Sequence, residues 1–207
     1  MGAEYVLSAD DAPNAIAVIG MAGRFPGAPS VSAFWDNLRR GEESVVTLSE
    51  EALTAAGVSA KTLADPAYIR RAALLDGVEE FDAEFFSMTP VAARMMDPQQ
   101  RLFLQTAWHA FEDSGYDPAI YDGAIGVFGT CSASGYLLYN LMSQRDPKTI
   151  VGEGPTLEMI NLSLQNDKDY LATHVSHQFN LRGPSLSVQT ACSVSYTHLR
   201  AHETEAD

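Results

Sequence analysis

Cysteine is scarce in this sequence, at two of 207 residues, Cys131 and Cys192. Two cysteines cannot build the disulfide framework of a small secreted domain, so we expect a cytoplasmic location. The sequence also lacks an apolar run long enough to span a bilayer. Its first residues, MGAEYVLSADDAPN, lack the basic and apolar regions of a signal peptide.

Positive charge is the other shortage, with 13 Lys and Arg against 27 Asp and Glu and a formal net charge of −14. Because such a protein repels the phosphates of nucleic acid and of an anionic membrane, we expect neither as a partner. Hydrophobic residues make up 46% and charged residues 19%, which is the composition of a folded globular protein.

The predicted elements alternate as in an α/β fold. AIAVIG (15–20), IGVFGT (125–130) and SLSVQTA (185–191) are apolar runs typical of buried strands. The first leads through a Gly/Pro loop into a predicted helix, with Ser32 as its N-cap and Gly41 as its left-handed C-cap. Strand, loop and helix in this order indicate a layered α/β fold.

Further helices are predicted from their caps. SEEALTAAGV (49–58) is compatible with a short helix, and Thr89-Pro90 and Asp97-Pro98 each combine an N-cap with proline at the first helical position. The last helix should run from a cap at Asn166 or Asp167 through Phe179. The helix after Asp97 should be long, bury one side and end at Gly115, because six residues recur at helical spacing: Leu102, Phe103, Thr106, Ala107, Ala110 and Phe111.

Several candidate sites have a plainer explanation. Gly20, Gly23 and Gly27 suggest a phosphate loop, but their spacing matches neither nucleotide-binding fingerprint, and a sharp turn also needs glycine. His198 and His202 have the i, i+4 spacing of metal ligands without a third ligand nearby. His174 and His177 are expected to be satisfied or solvent-facing histidines. Four carboxylates near aromatic residues are expected to be solvated: Asp76, Asp82, Glu84 and Asp97.

Cys192 could be a core residue, half of a disulfide or a nucleophile. It follows the third predicted strand, between small residues, where a helix start would offer free backbone N–H groups and a helix dipole. Such a position stabilises the thiolate, which an ordinary cysteine scarcely populates at neutral pH. Spacing alone leaves an inert buried cysteine open as well.

Longer motifs carry a family resemblance. VQTACS (188–193) resembles the nucleophile motif of β-ketoacyl synthases, the condensing enzymes of fatty acid and polyketide assembly. AIAVIGMAGRFPGA resembles the opening of that family, and residues 81–118 are similar to its central segment. Residues 166–193 resemble the approach to the active cysteine in modular polyketide synthases. The resemblance is collinear over about residues 14–193, with residues 1–13 left as a leader or linker.

The resemblance implies a thiolase-like fold (layered α/β/α), of which this chain would hold the N-terminal half. It implies that Cys192 is the nucleophile and that its backbone N–H is one oxyanion donor. Cys192 would accept an acyl group from a phosphopantetheine thioester on an acyl carrier protein. A carbanion from a decarboxylated malonyl-type extender would then attack the acyl-enzyme. No bound cofactor is implied, and the complete enzyme is expected to be a homodimer.

Two features depart from the family. Its two catalytic histidines occur in His-Gly-Thr and Gly-His contexts, which none of the five histidines here has. Residues 194–207 are too polar for the buried helix expected after the cysteine, so we expect this tail to be foreign to the fold. Alternatives are therefore a non-catalytic module for dimerisation or carrier docking, and an unrelated cysteine hydrolase, which lacks a suitable histidine base.

Overall fold

The computed structural model describes residues 16–143, 146 and 156–190. Its α-helices are α1 (Val31–Arg40), α2 (Glu50–Ala55), α3 (Ala60–Leu63), α4 (Pro90–Met95), α5 (Pro98–Ser114), α6 (Leu157–Asn166) and α7 (Leu171–Gln178). A π-helix spans Leu137–Leu141, and a 3-10 helix spans Lys168–Tyr170. The strands are β1 (Val46–Thr47), β2 (Arg71–Ala72), β3 (Val127–Gly129) and β4 (Ser185–Ser187).

Strands β3 and β4 lie within two of the predicted strands and pair in parallel, with Val127 opposite Ser185 and Gly129 opposite Ser187. Helix α7 packs on both strands. Val127 is buried in the core, whereas the side chain of Phe128 is 64% exposed. Within the described residues, the prediction that these two strands are buried is therefore met on one face of the pair only. Strands β1 and β2 form a separate antiparallel pair.

Helix α5 is the long helix predicted after Asp97, and it holds the centre of the core. Leu104 is 0% exposed. The six residues predicted to form the buried side are all half-buried, whereas His109, Glu112 and Asp113 of the same helix are exposed. The core comprises Phe86, Met96, Leu104, Val127, Ala172 and Val175, with Phe103, Trp108, Phe111 and Phe179 packed around it.

Most predicted caps are confirmed. Thr89 and Asp97 cap α4 and α5, and Gly115 ends α5 with φ 72°. The N-cap predicted at Ser32 is wrong: Ser30 has the extended backbone of a cap, and its Oγ accepts a hydrogen bond from Ala33 N at 3.2 Å. Helix α1 therefore begins at Val31, because the earlier serine already satisfies its first free amide.

The first predicted strand is not formed over its described residues, 16–20. Ile16 is 93% exposed, and no ladder joins this segment to β3. A strand needs a neighbouring strand with which its backbone can pair. This segment instead approaches the end of α5, where Met21 N donates to Asp113 Oδ2 at 2.8 Å. An apolar run alone therefore did not specify a strand here.

Residues 131–165 show no clear element in the sequence, and in their described part the structure forms the π-helix and α6. Thr156 caps α6, its hydroxyl accepting from Met159 N at 3.2 Å.

Among the residues that the structure describes, no helix combines the length and apolar character needed to cross a membrane.

Candidate functional site

The carboxyl ends of β3 and β4 meet at one edge of the sheet. Val188 N donates to Gly129 O at 2.9 Å, and Thr130 Oγ1 donates to Gln189 Oε1 at 3.1 Å. Ligands of α/β proteins bind outside the carboxyl ends of parallel strands. Cys192 follows two residues after Thr190 and lies outside the described residues, so its assignments as nucleophile and oxyanion donor stay predictions.

The second cysteine belongs to the same edge. Cys131 follows β3, is half-buried and has a free thiol. Burial raises the pKa of the Cys131 thiol, the Asp97 carboxylate raises it further, and Lys168 opposes the rise. Cys131 is therefore held as a neutral thiol, unlike an activated nucleophile. Cys131 was noted in the sequence but was not placed at this edge, although its position directly after the predicted strand 125–130 was an available signal.

The loop after β3 is tied to the first turn of α5. Ser132 N donates to Gln99 Oε1 at 2.9 Å, and Gln99 Nε2 donates to Ser132 O at 3.3 Å. Gln99 Nε2 also lies 3.3 Å from Asp97 Oδ2. Asp97 is 3% exposed, and its Oδ1 accepts from Gln99 N at 2.8 Å as the cap of α5. The side-chain carboxamide of Gln99 thus satisfies both the backbone N–H and the backbone C=O of Ser132.

A buried asparagine joins the next segment to this region. Asn166, at the end of α6, donates from Nδ2 to Met95 O at 2.8 Å and to Leu162 O at 2.9 Å. Its Oδ1 accepts from Ser134 Oγ at 3.2 Å. A side chain that satisfies three groups fixes the loop, α4 and α6 against one another.

His174 is satisfied within the fold. Its Nδ1 donates to Gln100 Oε1 at 2.7 Å, since Gln100 Nε2 is the donor to Asp167 O at 3.1 Å. This leaves Nε2 of His174 as the unprotonated nitrogen of the neutral ring. Burial lowers the pKa of His174, and His177 lowers it further. His177 is exposed, so both histidines have the places expected from sequence.

The remaining candidates do not gather into a site. Asp76, Asp82 and Glu84 are exposed as expected, whereas Asp97 is buried as a helix cap, which corrects its expected solvation. Within the described residues no group of three His, Cys, Asp or Glu could hold a metal ion. His198 and His202 lie outside those residues.

The Gly-rich loop has a packing explanation. A Cβ at Gly20 would lie 2.7 Å from Ala110 O and 2.9 Å from Ser114 Cβ, so only glycine allows this approach to α5. Gly27 has φ +70°, which suits the turn before α1.

Known proteins resemble this chain along most of its length. Residues 13–203 match the family model described as "Beta-ketoacyl synthase, N-terminal domain". This chain belongs to the β-ketoacyl synthase family. Its relatives include a phenolphthiocerol/phthiocerol polyketide synthase protein of Mycobacterium tuberculosis, 69% identical over 182 residues. That match covers 88% of this chain and 12% of the relative. Polyketide synthase ThaG of Burkholderia thailandensis is 38% identical over 194 residues, which is 90% of this chain and 3% of the relative.

Solved ketosynthases share the fold. Ketosynthase twelve of the bacillaene polyketide synthase from Bacillus amyloliquefaciens matches with TM-score 0.70 and 32% identity, over 91% of this chain and 32% of that chain. The module 1 ketosynthase of the bacillaene synthase from strain FZB42 of that species matches with TM-score 0.69 and 30% identity, over 86% of this chain and 29% of the other. The thiolase-like fold is therefore confirmed for this N-terminal portion. The β-ketoacyl synthase family consists of acyl-transferring synthases. This chain spans a small part of the length of its curated relatives.

Proposed function

We propose that this chain is the nucleophile-bearing part of a ketosynthase in a modular polyketide synthase, and that Cys192 is its acyl acceptor. The observation that carries the proposal is that VQTACS follows β4 in the sequence and that its described residues, 188–190, continue from the sheet edge where β3 also ends. Identity of 69% over 182 residues to a polyketide synthase protein supports it. Residues 14–193 would form the ketosynthase portion, with residues 194–207 outside it.

The proposed reaction has two steps. The Cys192 thiolate attacks the carbonyl carbon of an acyl-phosphopantetheine thioester, an S–C bond forms, and the carrier thiolate leaves and takes a proton. A malonyl-type thioester then loses carbon dioxide. Its carbanion attacks the acyl-enzyme carbonyl, forms the C–C bond and releases the Cys192 thiolate. The backbone N–H of Cys192 would stabilise the oxyanion in both steps. Cys131 takes no part in this reaction, because the raised pKa of its thiol keeps it protonated.

The proposed partners are an acyl carrier protein, which delivers the phosphopantetheine thioesters, and a second ketosynthase copy. Phe128, Leu186 and Val188 lie on one face of the sheet, and their side chains are 64%, 51% and 45% exposed. Apolar surface of this kind is normally covered by another part of an assembly. A cytoplasmic compartment, which the sequence favours, belongs to the same proposal.

The two cysteines allow a matched test. The complete ketosynthase is incubated with an acyl-pantetheine thioester, and the mass of each cysteine peptide is measured. We expect one acyl group, lost in Cys192→Ala and kept in Cys131→Ala. Equal acylation of the wild type and Cys192→Ala would refute the assignment. If no protein is acylated and Cys192 reacts with iodoacetamide no faster than free cysteine, the non-catalytic alternative is favoured.

A further inference from the structure

Hydrogen bonds from Thr130, Ser132, Ser134 and Tyr136 attach the loop after β3 to the rest of the fold. Thr130 contacts Gln189 on one side, and Ser134 contacts Asn166 on the other. Between them, Ser132 is held through both polar groups of its backbone by a single side chain, Gln99. These two bonds join positions 33 residues apart in the chain.

The Gln99 side chain is itself held in place. The backbone N–H of Gln99 is capped by Asp97 Oδ1, and its side-chain Nε2 lies 3.3 Å from Asp97 Oδ2. Asp97 is buried, and its N–H donates to Gln165 O at 3.0 Å. The carboxamide is therefore oriented before it meets the loop, so little conformational entropy is lost in pairing with Ser132.

The held loop lies beside the segment that leads to the proposed nucleophile. Thr130 and Gln189 are hydrogen-bonded across the strand ends, and Cys192 follows Gln189 by three residues. Chain connectivity keeps the Cys192 Cα within about 8 Å of that of Thr190, because consecutive Cα atoms are about 3.8 Å apart. We therefore expect a shift of the β3 loop to be passed through Gln189 to the segment that leads to Cys192.

We propose that Gln99 is a positioning residue, whose carboxamide holds the loop after β3 and so fixes the sheet edge where Cys192 takes up its acyl group. This inference rests on the proposed function for its effect on acyl transfer. The holding of the loop can be measured without that function, because Cys131 lies in the same loop, between Thr130 and Ser132.

The first experiment measures opening of the loop. In the Cys192→Ala background of the 207-residue chain, Cys131 is alkylated with iodoacetamide at fixed pH. We expect Gln99→Leu to raise the Cys131 rate about tenfold, as expected for the loss of one to two hydrogen bonds. Gln105→Leu is the matched control on the same helix, since the Gln105 amide makes one long bond, 3.4 Å to Glu80 O. Its Cys131 rate should equal that of the parent.

A variant of matched length separates hydrogen bonding from packing. Gln99→Met keeps the length of the side chain, but it cannot donate to Ser132 O or accept an ordinary hydrogen bond from Ser132 N, and it adds no charge near Cys131. We expect it to raise Cys131 alkylation as Gln99→Leu does. A parental rate in either variant would overturn the proposed holding of the loop.

The second experiment measures acyl transfer in the complete ketosynthase. We expect Gln99→Leu to lower kcat for Cys192 acylation about tenfold with little change in KM, while the melting temperature stays close to that of Gln105→Leu. Faster Cys131 alkylation with unchanged Cys192 acylation would overturn the positioning role. Absence of acylation in the wild type would instead refute the proposed function, and the Cys131 rates would still decide whether Gln99 holds the loop.

Discussion

Gly183 offers a demanding test of how β4 is seated on β3. A Cβ at this position would lie 2.4 Å from Gly126 N and 2.4 Å from Ile125 C, about 1 Å inside ordinary contact. Both obstacles are backbone atoms and cannot rotate away. In Gly183→Ala, β4 must therefore move about 1 Å from β3.

That movement breaks the bonds that start the sheet. Gly183 N donates to Ile125 O at 2.9 Å, and Val127 N donates to Pro184 O at 2.8 Å. Losing two hydrogen bonds costs about 1 kcal/mol each, and overpacking adds about 1–3 kcal/mol. We expect Gly183→Ala to lower the free energy of unfolding by about 3–5 kcal/mol.

The control is Gly115→Ala at the end of α5. Gly115 has φ +72° with nothing within 4 Å of a Cβ, so alanine there adds only backbone strain of about 1 kcal/mol. Urea unfolding followed by circular dichroism gives both values, compared at equal m. If Gly183→Ala is destabilised no more than Gly115→Ala, the close approach of β4 to β3 is wrong.

Two further predictions concern titrating groups. Lys168 lowers the pKa of Cys131, so Lys168→Gln should raise that pKa and slow Cys131 alkylation at pH 8; Lys61→Gln on α3 is the control, and an unchanged rate in Lys168→Gln would contradict the prediction. His174 has a lowered pKa in the folded protein, so unfolding takes up a proton below the unfolded pKa of about 6.5, and stability falls as the pH drops from there to the folded pKa. Replacing His174 by glutamine should flatten this fall in urea titrations from pH 7 to pH 5. His177→Gln should only reduce it, because the His177 charge is one cause of the lowered pKa; equal slopes in all three proteins would refute the linkage.

Local signals in the sequence predicted local structure. Thr89-Pro90, Asp97-Pro98 and Gly115 set the bounds of α4 and α5, because a cap acts within one turn of its own residue. Ser32 was misassigned for the same reason, since Ser30 is a cap of equal chemistry two residues earlier. The run 15–20 has strand composition, but composition does not supply the neighbouring strand with which it must pair.

The sequence predicted the candidate site only where its residues form one continuous motif. The six adjacent residues of VQTACS are enough to single out Cys192. The hydrogen bonds that hold the sheet edge, in contrast, join residues that are distant in the sequence. Ser132 and Gln99 are 33 residues apart, and Thr130 and Gln189 are 59 apart. Hydrophobic periodicity could not show these pairs, because polar residues carry no period that marks a partner.

Burial explains why polar residues hold this edge. Gln100 is 1% exposed and Asp97 is 3% exposed, although both carry polar side chains. A buried amide or carboxylate that loses its partner costs free energy, so alternatives that break this arrangement are penalised by more than one lost bond. An apolar contact could slide by an ångström at little cost, whereas Gln99 paired with Ser132 cannot. The edge that presents the proposed nucleophile is thus held by directional bonds, while the apolar core around Leu104 stabilises the fold behind it.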